Sequence, residues 1–87
     1  MGTIDQARAA AAGFRSASEQ SMVMLQAAGE SVGQAQVAFL TRLGPTRHVQ
    51  VLEVEARCAV ARQKIAEAIQ ALDAARQAAD SFGAALS

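Results

Sequence analysis

The side chains that could carry chemistry in this chain are few and scattered. There is one histidine, His48, one cysteine, Cys58, and eight carboxylates spread over 87 residues. A metal centre needs three or four ligands that converge, and a nucleophile needs a base within hydrogen-bond reach. His48 has no such company. Its basic neighbours in sequence, Arg42 and Arg47, suit an anion or partner contact at a helix start, or simply an exposed turn. A reactive thiol needs cations close by to favour the thiolate. Arg57 and Arg62 project from other faces of the helix than Cys58, so Cys58 reads as a packed core thiol. No close carboxylate pair faces a pocket, no Ser-His-Asp set can form, and no glycine-rich loop follows a strand. The expectation is a protein that is not an enzyme, with no catalytic residues, no cofactor and no metal.

Other clusters point to association. Gly29-Glu30-Ser31-Val32-Gly33 matches the GxxxG spacing that lets helices approach closely. Met22-Val23-Met24-Leu25 gathers large, adaptable apolar groups that suit a partner-binding patch or a bundle core. In the second half the charges pair at helical spacing: Glu53 with Arg57, Lys64 with Glu67, Asp73 with Arg76, and Arg76 with Asp80. Pairs of this kind mark a solvated face.

Composition narrows the classes further. Eight acidic residues balance eight basic ones, which argues against nucleic-acid partners and anionic membranes. A single cysteine excludes an intrachain disulfide. No apolar run approaches the ~18 residues of a membrane span, and the first residues lack the pattern of a secretory signal peptide. A cytoplasmic protein, or one exported without a cleavable signal, is expected. Seven of the eight basic residues are Arg, and 22 of the 87 residues are Ala, a bias typical of high-GC bacterial genomes.

Helices must position all of these residues. Arms rich in Ala, Gln, Glu, Arg and Leu favour helix, and the one proline, Pro45, follows Gly44 near the midpoint. Glycine closes a helix in the left-handed region, and proline suits the first turn of the next. The predicted fold is all-α: one domain over residues 1–87, with arms of about 3–43 and 46–85 joined by a tight turn at Gly44-Pro45. Gly13, Gly29 and Gly33 weaken the first arm, so a break near Gly29–Gly33, giving three helices, is the alternative.

Both arms carry an uncharged row that steps by three and four residues, the heptad pattern of a coiled coil. In the first arm it holds Ile4, Ala7, Ala11, Phe14, Ser18, Ser21, Leu25, Ala28, Val32, Ala35 and Phe39. In the second it holds Val51, Val54, Cys58, Ala61, Ile65, Ala68, Leu72, Ala75, Ala79, Phe82 and Leu86. Folded about Pro45, facing positions would total about 90, so that Val32 meets Cys58 and Leu25 meets Ile65, with large residues against small ones. Beside this seam lie Met22, Val23, Met24, Val37, Leu40, Val49, Leu52, Val60 and Ile69, which widen the apolar face beyond a two-stranded stripe. They predict an oligomer face, and two such hairpins would complete a four-helix bundle.

The Leu43-Gly44-Pro45 turn near the middle of a short chain with Ala- and Gln-rich arms resembles the small WxG-motif helical hairpins, bacterial type VII secretion substrates that pair into four-helix bundles. Gly44 matches the glycine of their turn motif, and Arg42 stands where the family has Trp. The family's C-terminal Tyr, four residues before an acidic group, is replaced here by Arg76 before Asp80. The resemblance implies a secretion-related interaction module. On the residues themselves, the expected function is protein–protein association with a second copy or a similar small helical protein. A subunit that polymerises into a filament or larger helical assembly is the alternative.

Overall fold

The computed structural model describes residues 2–45 and 48–86. Two helices account for nearly all of them: α1, Thr3–Leu43, and α2, Val49–Ala85. They pack side by side as a hairpin rod of 65 × 16 × 13 Å. The fold is therefore the all-α helical hairpin expected from the arms. α1 passes through Gly13, Gly29 and Gly33 without interruption, so the three-helix alternative does not form. Packing against α2 along the whole rod outweighs the local cost of each glycine.

The turn differs from expectation in its second half. α1 does end at Gly44, whose φ of 70° is in the left-handed range and whose N–H donates to the Leu40 carbonyl at 3.0 Å. A residue with a Cβ would be strained there, which is why glycine holds this position. α2 begins later than the tight turn required. His48 is its N-cap, with extended ψ of 135°, and its Nδ1 accepts a hydrogen bond from the Gln50 N–H at 3.1 Å. Pro45 thus lies outside the helix it was expected to open, and His48 caps the first turn instead of sitting within it. The expected start of the second arm, Thr46, falls outside the described residues.

The longer connection changes the pairing of the arms. A Cβ on Gly29 would lie 3.6 Å from Ile65 Cγ2, and one on Gly83 would lie 3.7 Å from Ala11 Cβ. The Arg8 guanidinium donates to the Leu86 carbonyl at 2.9 Å. Glu19 pairs with Arg76, and Arg15 with Asp80. These partners total about 94 in residue number, where the tight turn called for about 90. The shift of about four residues is one helical turn. Because residues one turn apart share a face, α2 keeps its inward face while these contacts fall a turn along from the expected pairing; Leu25 still shares a groove with Ile65, and Val32 with Cys58.

The two helices also keep different periods. On α2 the positions 51, 58, 65, 72, 79 and 86, seven apart, are all half-buried. On α1 the shielded positions include 7, 18, 29 and 40, eleven apart. An eleven-residue repeat follows the natural helical period closely, whereas a heptad row drifts by ~20° per repeat on a straight helix. Beyond Leu25, α1 therefore turns Gly29, Gln36 and Leu40 inward and leaves Ala28, Ala35 and Phe39 exposed. At Gly29 the backbone faces Ile65, whose Cγ2 would be in ordinary contact with a Cβ there.

Candidate functional site

The rod has two long flanks along the line where the helices meet, and they differ in chemistry. Four of the six charged residues of α1, Arg8, Arg15, Glu19 and Glu30, fall within a sector of ~60° around the helix at 100° per residue. This flank is closed by a polar clasp. Arg15 Nε reaches Glu19 Oε1 at 3.2 Å and Asp80 Oδ1 at 3.9 Å. Arg76 Nη1 lies 3.7 Å from the same Glu19 oxygen, while Arg76 Nη2 donates to Asp73 Oδ1 at 2.6 Å. Gln77 holds the other Asp73 oxygen at 2.9 Å. Arg76 is the most shielded member, with its side chain 27% exposed. The pairs Glu53–Arg57 and Lys64–Glu67 form as the spacing indicated. Asp73–Arg76 forms too; Arg76 also reaches Glu19 on α1, and Asp80 meets Arg15 instead of Arg76. Spacing within one helix could not reveal these two cross-helix pairs.

Further along the same flank, Leu25, Gly29, Glu30, Gly33, Arg62, Ile65 and Ile69 line one groove, and Gly33, Val37, Leu40 and Arg62 line the next. The opposite flank holds a shallower chemistry. Its groove is lined by Val32, Ala35, Val54, Cys58 and Ala61, with Gln50, Glu53 and Arg57 along its edge.

The predicted seam residues divide by position. Leu25, Val32, Val51, Cys58, Ile65 and Leu72 are half-buried between the helices. Ile4, Phe14, Phe39 and Phe82 remain exposed, at 53%, 45%, 37% and 51%. All three phenylalanines of the chain thus face solvent. The residues predicted as an oligomer face are spread around the rod. Met22, Leu40 and Ile69 are half-buried, drawn toward the helix pair by its eleven-residue period and shifted register. Val37 sits on the charged flank, and Val23, Met24, Val49, Leu52 and Val60 are exposed elsewhere on the two arms.

Among the described residues, no group of three or more His, Cys, Asp and Glu side chains could hold a metal ion. No helix is long and apolar enough to cross a membrane. His48 is engaged as a helix cap, and Cys58 is a half-buried free thiol. What the residues do bring together is apolar surface. Among the described residues no hydrophobic side chain is buried; the one buried residue is Ser18, at 3% exposure. A serine at that point of the uncharged row is small enough for close helix approach. The chain matches no family model, and no curated protein or solved structure is significantly similar to it.

Proposed function

We propose that this protein is a non-enzymatic interaction module, a helical hairpin that completes its core by assembling with itself or with a similar small helical protein. The observation that carries this reading is the accessible area. The chain exposes 6378 Å², whereas a compact monomer of 9.0 kDa exposes about 4,900 Å². Twelve large apolar residues among those described are more than a third exposed. Apolar exposure on this scale marks an interaction surface, and a two-helix seam rich in alanine leaves little burial to offset chain entropy. The reading includes the secretion-related role implied by the resemblance to WxG-motif hairpins.

Sedimentation velocity from nanomolar to high micromolar concentration tests association directly. A reversible species of twice the 9.0 kDa chain mass, with a melting temperature that rises with concentration, is expected. A helical, stable monomer throughout that range, alone and with small helical proteins encoded beside it, would overturn the proposal. Open-ended growth in mass would instead identify a polymerising subunit, because only a closed two-fold interface stops at a dimer.

A further inference from the structure

We infer that the occupant of the flank opposite the clasp is a second copy of this chain, seated along the stripe of α1 that runs from Phe14 through Ala28 and Ala35 to Phe39. This rests on the assembly reading above and adds which face is used and by what. Around α1 at 100° per residue, Phe14 and Phe39 lie within ~20° of one another, and Phe39 lies ~160° from Glu19 on the clasped flank. On α2, Phe82 lies ~180° around the helix from Asp73, another member of the clasp. The three exposed aromatic residues therefore turn away from the salt bridges that close the other side. No charged residue falls on this α1 stripe. At its α2 edge, Glu53 and Arg57 neutralise one another at 3.3 Å, a polar rim beside an apolar strip.

Two features favour a second copy as the occupant. The excess exposure over a compact chain is about 1,500 Å², so a pair of chains would hide about 3,000 Å², within the range of obligate dimers. The α1 stripe carries no charge by which to recruit a charged partner, the charges on its α2 side pair with one another as Glu53–Arg57 and Lys64–Glu67, and a chain of zero net charge does not repel itself. The residues left exposed here, Phe14, Ala28, Ala35 and Phe39, belong to the uncharged row that α2 covers only in part. A second hairpin laid on them would cover the remainder.

Thiol protection tests the face. In a Cys58→Ser background, single variants Ala28→Cys and Ala35→Cys report the flank, and Ala27→Cys and Ala38→Cys report the outer face of α1, all at exposed positions. Alkylation by N-ethylmaleimide is measured alongside sedimentation. The expected result is a dimer whose flank thiols react at least tenfold more slowly than the outer ones, with the difference vanishing on dilution to monomer. A dimer whose four thiols react at similar rates would overturn the choice of flank while leaving assembly intact. Flank protection independent of concentration would overturn it too, since the shielding would then lie within one chain. A folded monomer at all concentrations would overturn the second copy as occupant; if it also ignores other small helical proteins, the assembly reading falls with it.

Discussion

Replacing the three glycines inside α1 by alanine should stabilise the protein, and the structure grades the positions. A glycine within a helix costs about 1 kcal/mol relative to alanine, through backbone entropy. At Gly13 a Cβ would meet nothing within 4 Å, so Gly13→Ala should gain nearly the whole amount. At Gly29 the new methyl would touch Ile65 Cγ2 at 3.6 Å, an ordinary van der Waals distance. Gly29→Ala should therefore gain as much, with a small added contact. Gly33 also has open space around it in a single chain, so Gly33→Ala is expected to match Gly13→Ala. For a domain of this size, 1 kcal/mol raises the melting temperature by about 4–8 °C. Gly29 and Gly33 lie one turn apart, so their effects need not add, whereas Gly13 is distant enough to be independent. The assay is thermal unfolding followed by circular dichroism at one fixed protein concentration, since assembly itself shifts the midpoint. Loss of stability in Gly13→Ala would refute the continuous α1 helix. Loss in Gly29→Ala would show Ile65 to lie closer to Gly29 than an ordinary van der Waals contact, refuting the 3.6 Å spacing. Loss in Gly33→Ala that disappears on dilution would place a partner chain against the charged flank, contrary to the docking face assigned here.

Other outcomes follow from the same contacts. Leu25→Asp or Ile65→Asp should cost about 2–4 kcal/mol, enough to abolish most helicity, because a carboxylate would enter the groove the two residues share; unchanged circular dichroism would refute their placement there. Arg76→Ala should cost no more than about 1 kcal/mol, because its partners Glu19 and Asp73 keep contact with solvent, at 47% and 36% exposure; a loss above 2 kcal/mol (roughly twice that ceiling) in urea titrations would show the clasp to be a principal support. His48→Ala should cost about 0.5–1 kcal/mol through loss of the cap to Gln50, and His48→Asp should retain most of it; equal melting temperatures for the two variants would refute the cap.

Much of the architecture is legible from particular residues. Gly44 and Pro45 at the midpoint, helix-forming arms, and uncharged rows in both halves determine two long helices lying antiparallel. These are local facts: a left-handed glycine, a proline without an N–H, and the period of a helix operate wherever the residues occur. The scarcity of catalytic groups is equally plain in the sequence. Tertiary structure alone decided how the helices meet. The late start of α2, capped by His48, shifts the pairing by one turn, and no count of positions within an arm measures the length of a connection. The eleven-residue period of α1 turns Gly29 and Leu40 inward and leaves Ala28, Ala35 and Phe39 outside. Arg76 and Arg15 reached across to the other arm and closed one flank with charge. A heptad row assigns residues to a seam but not to a side of it. Packing two helices at one register shields part of the row and leaves the rest exposed.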